Sequence, residues 1–214
     1  MDVAELPLVG GHPALDLVNT VERGVPATGG RPLDHLADPP ALLRWARRVG
    51  LVDDTETRAV ADSWERDPGS GRAALAAVRD VREALHVALL AAIGVDPPGD
   101  RADAALERLR DRWAAATAHS RLELDPERAA AARLTVGTEP GSVIADRVAV
   151  GAVDVLHDAD LARLRRCPPE GGGCGWVFLD RSRNGSRRWC RMADCGTTVK
   201  ARRLTERRRA ARER

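Results

Sequence analysis

Four cysteines near the end of the chain are the residues best suited to chemistry. They are the only cysteines among the 214 residues, and they form two close pairs, Cys167 with Cys174 and Cys190 with Cys195. Six residues lie within the first pair, four within the second, and fifteen between the pairs. This spacing is typical of a site where four thiolates hold one zinc ion. Because four thiolates complete the tetrahedron, such a zinc is structural and leaves no position for a catalytic water.

Three other uses of these cysteines compete with zinc. Two disulfides would need an oxidising compartment, but the chain begins without a secretory signal pattern, so we expect a cytoplasmic protein with reduced thiols. Four unrelated core cysteines are a poor explanation, since the preceding 166 residues contain none. An iron–sulfur cluster would favour a more compact, ferredoxin-like spacing. The sequence therefore favours one structural zinc.

Charge is distributed unevenly along the chain. From Arg181 to Arg214, thirteen Lys and Arg residues stand against three acidic residues, a net charge of +10. The total of +2 for the whole chain then leaves −8 for residues 1–180. A basic run alone is usually a solvated tail, but one attached to a zinc site favours a polyanionic partner.

Eight basic side chains are candidates for nucleic-acid contacts. Four flank an Asn184-Gly185 turn and four lie on the helix expected after the last cysteine. The candidates are Arg181, Arg183, Arg187, Arg188, Lys200, Arg202, Arg203 and Arg207. We expect DNA as the partner, with most contacts to phosphates, because the arginines lack a spacing that matches base edges. RNA, and a zinc-stabilised protein-binding module without nucleic-acid affinity, are the alternatives.

Hydrophobic periodicity predicts a mainly α-helical fold in which these groups are positioned. One helix is predicted to begin at Pro13 in the segment 10–22, and further helices cover 40–49, 54–64, 71–93, 100–118 and a stretch ending near His157. Between the last two helices, alternating residues at 121–124 and 134–136 predict a small β-hairpin. We expect an N-terminal helical domain at 1–160 and a finger at 161–214.

Local signals inside the cysteine-rich part predict the shape of the finger. A strand at 176–179 is expected to pair with residues 187–189 across the Asn184-Gly185 turn. A basic helix is expected from Thr197, acting as its N-cap, to about Arg209. The order of knuckle, hairpin, knuckle and helix is that of a treble-clef-like zinc finger.

The cysteine-rich segment resembles a known family. CGWVFLDRSRNGSRRWC, followed after four residues by Cys195-Gly196, closely resembles the C-terminal finger of the CGNR zinc-finger family. Its members are regarded as transcription regulators, so the resemblance implies a zinc-binding, DNA-binding regulator. Thr197 and Thr198 stand where the family has Asn-Arg, which takes away an arginine next to the last ligand.

Two N-terminal segments extend the resemblance over nearly the whole chain. GGHPALDLVNTVE at 10–22 and DHLADPPALLRWARRVG at 34–50 resemble the ABATE domain, which precedes the finger in that family. The resemblance implies a stress-induced regulator whose N-terminal domain senses a small ligand. A purely structural or dimerising domain is the alternative. Asp16 and Asn19 are three residues apart and share a helix face. They either satisfy nearby backbone groups or form a polar corner of a ligand pocket.

Signatures of catalysis and of membrane insertion are absent from the sequence. It contains no Walker loop, no dinucleotide-binding glycine pattern, no HExxH and no nucleophile elbow. With all four cysteines on a metal, we expect a binding protein and not an enzyme. No window approaches eighteen apolar residues, so we expect no membrane span.

Overall fold

The computed structural model describes residues 3–24, 32–124, 132–201 and 204–205, and within them the chain is mainly helical with small β-hairpins, as predicted. The helices are α1 (Pro13–Val18), α2 (Pro39–Arg48), α3 (Asp54–Arg66), α4 (Pro68–Ala92), α5 (Asp100–Ala118) and α6 (Val143–Asp158). The strands are β1 (Val21–Glu22), β2 (Leu33–Asp34), β3 (Arg121–Leu124), β4 (Ala132–Thr135), β5 (Leu164–Arg166) and β6 (Val177–Leu179). Three antiparallel pairs result: β1 with β2, β3 with β4, and β5 with β6.

The chain divides into two compact units. Unit 1 comprises Met1–Leu6 and His35–Ala159, and unit 2 comprises Pro7–Asp34 and Asp160–Arg214. The chain passes from unit 1 to the cysteine-rich part of unit 2 between Ala159 and Asp160. The segment Pro7–Asp34, however, belongs with the cysteine-rich part, although the sequence-based division places it in the N-terminal domain.

Unit 1 is a helical body in which α2, α3 and α4 begin at side-chain caps. The Asp38 carboxylate accepts a hydrogen bond from the Ala41 amide at the start of α2, which opens with two prolines. Asp53 and Glu56 form a capping box at the start of α3. Helices α4, α5 and α6 pack against one another, with Leu85, Leu109 and Ile144 fully buried between them. Strong local caps explain why these helices follow the sequence prediction closely.

A charged pair joins α3 to α6 inside this body. Arg147 donates to both carboxylate oxygens of Glu56, the same side chain that closes the capping box. Hydrogen bonding to the Arg147 guanidinium holds the pKa of Glu56 below its usual value. None of the described helices is long and apolar enough to cross a bilayer.

In unit 2, the prediction that β6 pairs with residues 187–189 is wrong. Strand β6 pairs with β5, which precedes the first cysteine, in the register Leu164 with Leu179 and Arg166 with Val177. The other edge of β6 is also taken, because Leu179 donates its amide to Gly10 and Val177 bonds the Asn19 side chain. Residues 187–189 therefore find no free edge to pair with. The turn before Gly185 does form, with the Gly185 amide donating to Ser182.

The predicted N-cap at Thr197 is wrong as well. A π-helical turn at Met192–Gly196 precedes it, and residues 197–201 continue as helix. Thr197 has helical dihedrals, and its hydroxyl donates to the Met192 carbonyl. The helical turn thus begins five residues earlier than predicted, and it contains the fourth cysteine.

Candidate metal centre and nucleic-acid interface

The structure brings all four cysteine sulfurs together. Their Sγ atoms lie within 4.8 Å of one another. The Cys174 and Cys190 sulfurs are 3.4 Å apart, and those of Cys190 and Cys195 are 3.7 Å apart. None of the four forms a disulfide. A tetrahedron with zinc–sulfur bonds of about 2.3 Å places its sulfurs about 3.8 Å apart, so the donor set fits one structural zinc.

Mutual contact controls the protonation of the thiols. Hydrogen bonds from Cys174 and Cys190 lower the pKa of Cys167, while the bond to Cys167, together with burial, raises the pKa of Cys174. One thiolate is therefore stabilised at the expense of its neighbours. A divalent cation supplies the charge that lets all four ionise, which is why binding zinc to such a cluster releases protons.

The first pair of ligands lies on a knuckle between β5 and β6. The Cys167 amide donates to the Trp176 carbonyl across the hairpin, and the Gly175 amide donates back to the Cys167 carbonyl. Gly173 faces the ligand sulfur directly, since a Cβ built on it would lie 2.6 Å from Cys167 Sγ. Gly175 has a φ of +79°, a conformation that residues with a side chain rarely adopt. The long first loop therefore depends on its glycines to bring the two sulfurs together.

The second pair of ligands is held by the π-helical turn. Cys190 precedes this turn and Cys195 lies within it. Gly196 closes the turn, with its amide donating to the Arg191 carbonyl. A Cβ on Gly196 would come within 2.3 Å of the Met192 sulfur. The wide turn separates the two ligands by five positions and still directs both sulfurs to one point.

Asn19 binds the backbone of β6 and thereby joins the N-terminal segment to the finger. Its amide nitrogen donates to the Val177 carbonyl at 2.8 Å, and its amide oxygen accepts from the Val177 amide at 2.9 Å. The side chain is buried, with 3% of the residue exposed. Two more bonds follow the same path: Leu179 donates to Gly10 at 2.9 Å, and the Trp176 indole donates to Val21 at 3.2 Å.

These contacts identify what Asp16 and Asn19 do. The Asp16 carboxylate accepts from the Gly10 amide at 2.8 Å, which orients Gly10 for its bond to β6. Both residues therefore satisfy backbone groups, the first of the two alternatives left open by the sequence. The amide of Asn19 has the complementary donor and acceptor that a strand backbone presents, so it stands in for a paired residue.

Asp180 organises the loop between β6 and the second cysteine pair. Its fully buried carboxylate accepts from the amides of Ser182 and Arg187 at 2.9 and 2.7 Å. Hydrogen bonding, first from the Ser182 side chain and then from these two amides, holds the pKa of Asp180 below its usual value. The Arg187 amide is thus committed to a carboxylate and not to a strand. Our sequence reasoning missed this residue, although an Asp two positions before a Ser is a turn signal.

The eight candidate nucleic-acid residues separate into three groups. Arg181 donates to the Gly11 carbonyl, and Arg187 donates to the Trp189 carbonyl and lies 4.6 Å above the Phe178 ring. Arg183, Arg188 and Lys200 are exposed. The remaining three lie outside the described residues: Arg202, Arg203 and Arg207. Arg181 is exposed as well, but its guanidinium is held by the Gly11 carbonyl, so Arg183, Arg188 and Lys200 are the described candidates available to a partner without breaking a hydrogen bond.

Comparison with protein families agrees with the resemblance. Residues 11–159 match the model of the ABATE family, described as a putative stress-induced transcription regulator, and residues 163–208 match the CGNR zinc finger. No curated protein matches the chain. The ABATE match includes most of the segment Pro7–Asp34, which the structure places in unit 2. The boundary between the sequence modules is therefore not the boundary between the folded units.

Loss of one ligand should release the metal and unfold unit 2. Protein purified without a metal-binding tag should contain about one zinc per chain by elemental analysis, and Cys195→Ser should contain much less. Hydrogen exchange should then show lost protection both around β6 and in α1, while α4 in unit 1 keeps its protection. A metal-free wild-type protein with a folded finger would contradict this prediction.

Asn19→Ala should destabilise unit 2 without touching a ligand. It leaves the buried amide and carbonyl of Val177 without their partner, at a cost of about 2–4 kcal/mol for the two groups. We expect faster zinc release to a chromogenic chelator and a lower urea midpoint. Asn184→Ala, the other asparagine of the chain, is the matched control and should change the unfolding free energy by less than about 0.5 kcal/mol. Equal zinc release from both variants would show that the Val177 contact is unimportant.

Proposed function

Because the chain belongs to the ABATE family and carries a CGNR zinc finger at its C-terminal end, we propose that it is a DNA-binding transcription regulator. The observation that carries this proposal is the exposure of three basic side chains, Arg183, Arg188 and Lys200, in the same folded unit as the four cysteines. Residues 181–214 carry a net charge of +10, whereas the rest of the chain is acidic. Attraction of one end of the molecule to a polyanion follows from this asymmetry.

Phosphate contacts should dominate the interaction. Arg183 and Arg188 lie on the loop anchored by Asp180, and both side chains are exposed. The Arg188 guanidinium lies 5.2 Å from the centroid of the Trp189 ring, a longer contact than the 4.6 Å of Arg187 over Phe178. Lys200 lies on the helical residues that follow the fourth ligand. The arginines of residues 202–209 continue the same basic segment in sequence. Such a group positions a protein on a duplex, while base readout needs further side chains.

A binding role also agrees with the state of the cysteines. All four are committed to a closed donor set, so the proposal gives them no catalytic role. Thiolate ligands must stay reduced, which favours the cytoplasm as the location of the protein.

Unit 1 offers a place for a small effector, and it differs from the one suggested by Asp16 and Asn19. A cleft of about 590 Å³ lies among α2, α3 and the start of α4. It is lined by Pro39, Pro40, Leu43, Ala61, Trp64, Glu65, Pro68, Gly71 and Arg72. A cleft of this volume, with an apolar lining and a few charged groups, is typical of small-molecule sites. We propose that the regulator senses an apolar or amphipathic small molecule here.

DNA binding should depend steeply on salt. If the basic end neutralises about five phosphates, the slope of log affinity against log salt should lie near −4 to −5. The double variant Arg183→Glu, Arg188→Glu should weaken binding to every duplex sequence and reduce the slope by about 2. The double variant Arg58→Glu, Arg101→Glu, at two exposed arginines of unit 1, is the control with the same change in net charge. Fluorescence anisotropy with duplex DNA and matched RNA makes the measurement.

The alternatives make different predictions in the same titrations. Stronger binding to the matched RNA at every salt concentration would favour an RNA-binding protein. No detectable binding to either nucleic acid at low salt would contradict the proposal and favour a protein-binding zinc module.

Effector binding can be tested by filling the cleft. A thermal-shift screen of apolar metabolites should find compounds that raise the melting temperature of the wild-type protein. Ala61→Leu places three extra carbons in the cleft and should abolish the shift, whereas Ala104→Leu, at an exposed site on α5, should preserve it. If the same compounds still raise the melting temperature of Ala61→Leu, the effector binds outside this cleft.

A further inference from the structure

The hairpin formed by β3 and β4 exposes an apolar face to solvent. Leu122 lies directly opposite Leu134, and Leu124 lies opposite Ala132. Since alternate residues point to opposite sides of a ribbon, these four share one face. The exposed fraction is 69% for Leu122, 82% for Leu124 and 56% for Leu134. The other face is polar and carries Arg121, Glu123, Arg133 and Thr135.

Such alternation is the pattern of a sheet with one covered face. In a sheet that packs on a core, apolar side chains alternate with polar ones and the apolar side is buried. A two-stranded hairpin that has its apolar side in water is at best marginally stable. The clean separation of leucines from charges therefore indicates that something covers this face.

The described residues provide no cover for this face, since the three leucines stay exposed among them. The residues outside those ranges are rich in Arg, Ala and Glu, and contain only Met1 and Val25 as large aliphatic residues. Another molecule is therefore the better source of an apolar cover.

We propose that the apolar face of the β3–β4 hairpin is a homodimer contact, in which the same face of a second copy covers it. A two-fold contact of this kind places each hairpin's leucines against those of the other. The face carries no charge, so two copies approach without like-charge repulsion. It also lacks the cations that a nucleic acid needs, which argues against DNA as the occupant. This proposal does not depend on the DNA-binding proposal.

The area of the face sets the strength of the contact. Three leucines exposed to this extent present on the order of 400 Å² of apolar surface, as large as the main patch of a typical monomer. Two such faces together bury roughly 800 Å², which is at the weak end of specific interfaces. We therefore expect a reversible dimer with a dissociation constant in the micromolar range.

Sedimentation velocity of the full-length, zinc-loaded protein tests the contact. Between roughly 1 and 200 µM the wild type should pass from monomer to dimer. The double variant Leu122→Ser, Leu124→Ser should raise the dissociation constant at least about tenfold. Leu106→Ser, which removes an exposed leucine from α5, should dimerise as the wild type does.

A second measurement on the unaltered protein keeps the proposal testable if the double variant fails to fold. Hydrogen exchange at the amides of residues 121–124 and 132–135 should slow as the concentration of wild-type protein rises. A wild type that is monomeric at every concentration overturns the proposal, as does a dimer that persists in a folded double variant. Growth beyond a dimer also overturns it, because a closed two-fold contact cannot propagate.

Discussion

The two edges of one short strand, β6, determine how unit 2 is built. One edge pairs with β5 and so places Cys167 and Cys174 on opposite sides of a knuckle. The other edge bonds to Gly10 and to the side chain of Asn19, 158 residues away from Val177 in sequence. A buried strand edge with unpaired amides and carbonyls is costly, because those groups lose their water partners. The finger therefore needs the N-terminal segment as much as that segment needs the finger.

Zinc and the N-terminal segment stabilise the same strand from two sides. Zinc bound by the four cysteines connects the knuckle to the π-helical turn that contains Cys195. Asn19, which follows α1, bonds to Val177 on the edge of β6 opposite β5. Trp176, next to β6, contributes its indole to the Val21 carbonyl. Folding of unit 2 consequently requires contacts between the chain segments on either side of His35–Ala159, the main part of unit 1. The chain passes between the two units three times, after Leu6, Asp34 and Ala159.

This connectivity also suggests how an effector could influence the finger. The segment Pro7–Asp34 is tied at both ends to unit 1, through Leu6 and His35. A ligand that changes the stability of unit 1 changes the freedom of those ends, and so the cost of placing Asn19 against Val177. For the proposed function, coupling of this kind needs no contact between the proposed effector and the proposed DNA-binding residues, only a shared equilibrium.

Local signals explain which features were predictable from the sequence. The cysteine spacing is local and predicted the ligand set, and helices with caps such as Asp38 and Asp53 were predicted closely. The chain also turns next to Asn184, where the Gly185 amide donates to the Ser182 carbonyl. A turn reverses the direction of the chain, but it does not determine which segment pairs with β6. That choice was decided by Asn19 and Asp180, whose partners no local pattern reveals. The cleft of unit 1 was missed for the same reason, since its lining comes from three helices.

Some arginines of the finger make contacts within the fold, and others are exposed to solvent. Arg181 and Arg187 lie on either side of the loop anchored by Asp180, and each uses its guanidinium to complete the fold. Arg181 binds Gly11, next to the residue that pairs with Leu179, so it strengthens the edge contact of β6. A basic residue near a zinc centre is therefore not by itself evidence for nucleic-acid binding. Exposed Arg183 carries that evidence, because phosphate contact costs it no contact seen within the described part of the fold.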